Sequence, residues 1–269
     1  MKPGPGGNMP VVNETTWFWT GAAGMALGAV ALLVAGRRRT QDEEGHTIIH
    51  VVVPVLAALS YFSMAVGQGA TTIGDRTFVF ARYVDWAVTT PLLLLGLAIT
   101  ALHGAHRRPG LVAALLGADV LMILTGLFFG ASGGAGTKWT WFLVSCGAFV
   151  AVYATLFGPL RREAAARDHV RRAAYDRNVV VLAVLWLVYP VLDLLGPSGA
   201  GVWSSTVVTA CFTVLDLLAK VAYGFLTTVS SARVAEHDLA AGEVTGAPVT
   251  TESVPSGQGV VSPGDSGPR

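Results

Sequence analysis

Long apolar stretches separated by short polar connections fill most of the chain. Seven of them, at about 16–36, 46–67, 78–101, 110–130, 139–157, 179–195 and 203–229, are each near the ~20 residues that carry a helix across the hydrocarbon core of a bilayer. The pattern predicts an all-α bundle of seven transmembrane helices forming one domain over 16–231. A short segment, 1–15, precedes it and a polar tail, 232–269, follows. The tail is Gly, Ser, Pro, Val and Thr with scattered acids, too polar to build a core, and is expected to be disordered.

An odd number of crossings puts the termini on opposite sides. The first, third and fifth connections carry Arg37, Arg38 and Arg39, then Arg107 and Arg108, then Arg161, Arg162, Arg167, Arg171, Arg172 and Arg177. The even connections hold little beyond Arg76 and Lys138. The positive-inside rule therefore predicts an extracellular N-terminus and a cytoplasmic C-terminus, in the plasma membrane.

Composition agrees with this reading: the chain of 269 residues is 52% hydrophobic and 13% charged, outside the ordinary soluble range. A net charge of +1 gives nucleic acid nothing to bind, and no phosphate-cradling glycine loop is present. Cys146 and Cys211 fall within apolar stretches and read as packing residues, not as a disulfide or a metal site. The Gly- and Pro-rich start lacks the layout of a cleavable signal peptide. Asn13-Glu14-Thr15 fits a glycosylation sequon, a short match.

Charges inside the apolar stretches carry the functional information, because burial at bilayer depth must be compensated. Lys220 lies at the middle of the seventh stretch, with Asp216 four residues earlier on the same helical face. Two readings stand: a structural ion pair, or a desolvated amine held for condensation with an aldehyde. In the third stretch Arg82, Asp85 and Thr89 follow at spacings of three and four, a polar stripe that must face the bundle interior. Asp85 and Asp216 are both placed to approach a cation on Lys220. Asp119, Asp193 and His50 are the other buried-position polar groups.

Three segments together resemble the microbial rhodopsins of bacteriorhodopsin type: Arg82-Tyr-Val-Asp-Trp-Ala-Val-Thr-Thr-Pro-Leu-Leu-Leu-Leu95, Trp186-Leu-Val-Tyr-Pro190 and Leu215-Asp-Leu-Leu-Ala-Lys220. The resemblance covers all seven helices. It implies all-trans retinal on Lys220 as a protonated Schiff base, Asp85 and Asp216 as counterions with Arg82 beneath them, and Asp85 as primary proton acceptor with Thr89 one turn away. It also implies a retinal pocket from Trp86, Thr90, Leu93, Met122, Gly126, Trp141, Ser145, Trp186, Tyr189 and Pro190, with Tyr61 near the counterions. Trp139 is an alternative register for Trp141. Ordinary bundle packing is the competing reading of these aromatics. Leu93 resembles green-absorbing members, and Trp141 would fill the gap through which some members hold a carotenoid antenna. Asp119 matches an acid near the ring end of retinal, with a structural and spectral role.

The function implied is a light-driven outward proton pump, working with protons and lipid as its partners and assembled as a trimer or pentamer. Gly96 stands where many fast pumps carry a carboxylic donor, ~16 Å along the helix from Asp85. Asp85, Thr89 and Gly96 thus resemble the Asp-Thr-Gly subgroup. His50 is a candidate cytoplasmic relay, since histidine titrates near neutral pH, or else a hydrated interfacial side chain. On the outer side, the releasing glutamate pair of bacteriorhodopsin is matched by Ser198 and Val208, which argues against fast early release. Asp193 falls at a pocket position and has three open readings: release network, colour tuning or a local hydrogen bond. The competing function is a sensory photoreceptor. Ala219 and Val214 depart from the threonine and tyrosine of transducer-coupled sensors. Chloride pumping is disfavoured by Asp85, sodium pumping by the absence of its third-helix Asn-Asp-Gln pattern, and channel function by the lack of added pore-lining polar residues.

Overall fold

The computed structural model describes residues 13–36, 41–102, 108–166 and 168–245. The segment 1–12, Arg37 to Arg39, Arg107, Arg167, the His46 side chain and the tail beyond 245 lie outside the described residues.

Seven helices are long and apolar enough to cross a membrane. The first runs Glu14–Gly36, the second Gln41–Ala65, the third Ala81–Leu102 and the fourth Pro109–Ala131. The fifth spans Ala135–Ala165 with a π-helical stretch at Leu156–Leu160. The sixth is His169–Leu195. The seventh runs Ser205–Asp216, continues through a π stretch at Leu217–Ala222, and ends with Tyr223–Thr245. Local chemistry sets several starts. Asn13 Oδ1 accepts from the Thr16 N–H at 3.1 Å, so this sequon asparagine caps the first helix. Asp168 accepts from the Arg171 N–H at 2.7 Å at the head of the sixth helix, and Pro109 opens the fourth.

The sequence pattern starts the third helix at 78, but Phe78 belongs to a β-hairpin. Strands β1 (Ala70–Ile73) and β2 (Arg76–Val79) pair antiparallel around Gly74, which has φ +60°. Thr71, Thr72 and Ile73 pair with Phe78, Thr77 and Arg76 about a two-residue turn. A second difference lies at the end of the seventh helix. The segment expected to be disordered from 232 stays helical to Thr245, with Val234 buried.

The third helix is the axis of the bundle and the most buried of the seven spans. It packs on the second, fourth and sixth helices and on the end of the fifth. The first helix packs on the second and on the seventh. One contiguous apolar core runs from Val53 through Leu93, Leu97 and Leu182 to Phe212. Leu27, Leu59, Leu143 and Val184 point outward, as expected where the surrounding solvent is lipid. At the hairpin end Arg76 gathers three connections, donating to Gly130 O (2.6 Å), Ser132 O (3.3 Å) and Ser198 Oγ (3.0 Å). At the opposite end Arg161 forks onto Asp176 (2.8 and 3.1 Å), and Arg177 donates to Ser230.

Candidate functional site

The site is assembled where the third and seventh helices meet at mid-depth. Lys220 is 2% exposed, and its Nζ lies 2.5 Å from Asp85 Oδ2 and 3.3 Å from Asp216 Oδ1. Lys220 sits within the π stretch, where one extra residue per turn widens the backbone. Asp216, the residue just before that stretch, still reaches the same ammonium.

The two carboxylates are held differently. Asp216 accepts from Tyr61 Oη at 2.8 Å, Tyr189 Oη at 2.6 Å and Trp86 Nε1 at 3.3 Å. Asp85 Oδ1 has no hydrogen-bond partner among the described residues. Thr89 is fully buried one turn along, but its hydroxyl donates to the Asp85 backbone carbonyl at 2.8 Å and not to the carboxylate. Arg82 donates to Thr209 Oγ1 at 3.5 Å, and its guanidinium lies 4.4 Å from the Phe212 ring centroid.

An apolar slot adjoins this cluster. From the third helix Trp86 and Thr90 line it, and from the fourth Met122, Ile123, Gly126 and Phe129. The fifth contributes Phe142, Ser145, Cys146 and Phe149, and the sixth Trp186, Tyr189, Pro190 and Asp193. Trp86 and Tyr189, ring centroids 5.1 Å apart and edge to face, belong both to the slot wall and to the Asp216 hydrogen bonds. The slot thus adjoins the ion cluster through these two rings, and a long apolar molecule lying in it would reach toward Lys220. Thr90 Oγ1 donates to the fully buried Asp119 at 2.8 Å, and Ser145 Oγ to Met122 O at 2.8 Å, which fixes two of the wall positions. Leu93 is buried in the adjoining core.

Trp141 is not part of this wall. It is half-buried and packs on Phe128 at 5.0 Å, while Phe142, one residue on, faces the slot. Phe142, Ser145 and Phe149 share one face at helical spacing, so starting from Ser145 the i−3 and i+4 positions would have found both phenylalanines. Phe212 is a further residue that sequence reasoning missed. Its ring meets Trp86 at 5.3 Å and Tyr189 at 5.9 Å as well as Arg82, and nothing in the sequence separates it from ordinary apolar positions. On the side of the Lys220 cluster away from the hairpin, His50 is 2% exposed against Tyr223. A Cβ added at Gly96 would stand 3.4 Å from His50 Nε2, so the glycine and the histidine are neighbours.

A lysine buried in a membrane bundle between two carboxylates, at the mouth of an aromatic slot, defines a class: a seven-helix membrane protein built to carry a rod-shaped carbonyl chromophore on that amine. The chain belongs to the bacteriorhodopsin-like protein family, whose model matches residues 12–234. It is 39% identical over 219 residues to the bacteriorhodopsin of Haloterrigena sp. (strain arg-4), covering 79% of this chain and 86% of that protein. It is 34% identical over 245 residues to sensory rhodopsin-2 of Natronomonas pharaonis, 90% of this chain and all of that one. The crystal structure of the thermophilic rhodopsin from Rubrobacter xylanophilus superposes with a TM-score of 0.80 at 37% identity, covering 83% of this chain and 98% of that one. Members of the family are light-driven transporters or sensors, with retinal as chromophore. The protein is a multi-pass protein of the cell membrane, and its lysine and slot fit that chromophore.

Proposed function

We propose that the protein is a light-driven outward proton pump of the Asp-Thr-Gly subgroup, with the N-terminus and hairpin outside and the C-terminus in the cytoplasm. The observation that carries the reading is the unequal dressing of the two carboxylates at Lys220 Nζ. Retinal held on Lys220 Nζ would supply a light-responsive protonated cation at that nitrogen, and the residues around it decide where the proton goes. Asp216, with three donors on it, keeps its charge and its position. Asp85, within 2.5 Å of Nζ and with one oxygen unclaimed, takes the proton. Tyr61, Tyr189 and Trp86 orient Asp216. Thr89 holds the backbone turn that aims Asp85, and Arg82 supplies the positive charge on the outward side. Trp86, Trp186 and Pro190 wall the slot and, with the helices packed around them, exclude water.

Reprotonation from the cytoplasm has no carboxyl at Gly96 to draw on. His50, whose imidazole occupies the space beside that glycine, passes the proton on. Phe142 walls the slot on the fifth-helix side, where a carotenoid antenna would have to enter, and Trp141 packs beside it on Phe128. The assembly is a trimer or a pentamer, and the domain boundaries are those of the seven-helix unit.

The test is the pH of an unbuffered suspension of cells expressing the protein with added retinal. Acidification in light that a protonophore abolishes is the expected result. Coloured cells with no pH change would overturn the pump and leave the sensory reading, to which the 34% identity with a sensory rhodopsin already gives a footing.

A further inference from the structure

Asp193 and Tyr83 occupy a position that the pump mechanism above leaves unused. Tyr83 Oη donates to Asp193 Oδ1 at 3.1 Å. Toward the hairpin end lies a second cavity of about 50 Å³, with Phe78, Leu192 and Phe212 in its lining and Arg82, Thr209, Ser198 and, from the first helix, Glu14 as its polar groups. That volume is enough to hold water. Tyr83 and Asp193 are the two residues that line both this cavity and the aromatic slot. The pair is therefore the partition between the chromophore slot and the route outward. Ser198, at one of the two releasing-glutamate positions, is held by Arg76, and Val208, at the other, cannot titrate.

We propose that Asp193, hydrogen-bonded by Tyr83, is the proton-release group of this protein, an inference that rests on the pump reading. Before the flash Asp193 holds a proton, with Tyr83 donating to its other oxygen. The charged and titratable groups around it are Tyr83 in contact, Arg82 on the third helix, Arg76 behind Tyr83 and Glu14 across the cavity. Arg82 stands one helical turn from Asp85 on the third helix and lines the same cavity as Asp193, so its charge acts on both. When Asp85 is neutralised by the proton from Lys220 Nζ, the Arg82 cation loses one of its two anionic partners. It then favours the Asp193 anion, and the Asp193 proton leaves through cavity water past Glu14. Later Asp85 returns its proton to Asp193. One proton has left Lys220 Nζ, one has reached the outside, and both carboxyls are restored.

The experiment uses the full-length, retinal-loaded protein in lipid vesicles, with a pH-indicating dye in the outer medium and flash absorption recorded in parallel. In the wild type the dye is expected to register the proton together with the transient blue-shifted absorption that reports loss of the Lys220 proton. In Asp193→Asn the dye signal should come roughly tenfold later or more, in step with recovery, with the blue shift rising at its normal rate. Asp193→Glu should retain early release, and Tyr83→Phe should give an intermediate delay. Light-minus-dark infrared spectra should show a carbonyl band lost on release, and that band should be missing in Asp193→Asn. Late release already in the wild type overturns the assignment, as does early release that survives in Asp193→Asn. An absorption shift with unchanged dye timing would make Asp193 a colour-tuning residue and also overturn it. Absence of any net light-driven pH change would remove the pump reading itself, and this inference with it.

Discussion

At the scale of single residues, Asp216 accepts from Tyr61, Tyr189 and Trp86, while Asp85 meets the same ammonium with one oxygen left over. Hydrogen bonds to an anion hold it as an anion, so on the pump reading charge stays on Asp216 and the mobile proton goes to Asp85. Replacing that oxygen with an amide removes both the acceptor and the negative charge beside the nitrogen. Asp85→Asn is therefore expected to move the absorption maximum to the red, because the anion stabilises the dark state, in which positive charge is concentrated at that nitrogen. Light-driven acidification should fall by ~10²-fold or more. Absorption spectra and the cell-suspension assay check the two halves separately. An unshifted spectrum would mean that the 2.5 Å contact does not set the chromophore's electrostatics. Both carboxylates were legible in the sequence, since a charge at bilayer depth demands a partner. Their inequality was not, because it depends on side chains from the second, third and sixth helices that only the folded bundle brings to Asp216.

At the scale of helices, the first packs close against the second and seventh through glycines on one side. A Cβ at Gly21 would lie 2.2 Å from Tyr61 Cδ1, at Gly24 2.8 Å from Leu217 Cδ2 and at Gly28 2.5 Å from Val221 Cγ2. The first of these bears on the site, because Tyr61 is the ring whose hydroxyl holds Asp216. Gly21→Ala should push that ring away and cost about 1–3 kcal/mol, as overpacked cores do. A lowered melting temperature together with an altered absorption spectrum is expected, whereas Gly117→Ala, with nothing within 4 Å of the added carbon, should leave the spectrum unchanged and not lower the melting temperature. The seven helices were readable because the bilayer imposes a single length and a continuous apolar content. The π stretch around Lys220 was not, since no residue type announces it and it persists through packing. The hairpin was missed because four-residue strands between two long apolar stretches leave no periodic signal. The helical extension to Thr245 was hidden by a composition that reads as tail.

At the scale of the whole molecule, the half of the bundle toward the hairpin is dense with polar groups around Arg82, while on the opposite side of the Lys220 cluster His50 stands beside Gly96. On the pump reading, a protein without an internal carboxyl at this level must draw its proton from bulk water, by way of the buried His50. Recovery of the Lys220 proton is then limited by proton concentration, slowing by up to about tenfold per pH unit as the medium becomes alkaline. Removing the imidazole in His50→Ala should make recovery slower at every pH. Gly96→Asp should do the reverse. The added Cβ meets His50 at ordinary contact distances, 3.4 and 3.6 Å, so the carboxyl can enter with a small adjustment of that ring and hold a proton in reserve. Flash photolysis of the three proteins across pH decides the matter. The wild type should slope with pH, His50→Ala should lie below it, and Gly96→Asp should run faster and flat. If the wild type is already flat, a donor other than bulk water feeds Lys220, and the buried Asn178 and Ser230 on this side, hydrogen-bonded at 2.9 Å, are where the route would next be sought.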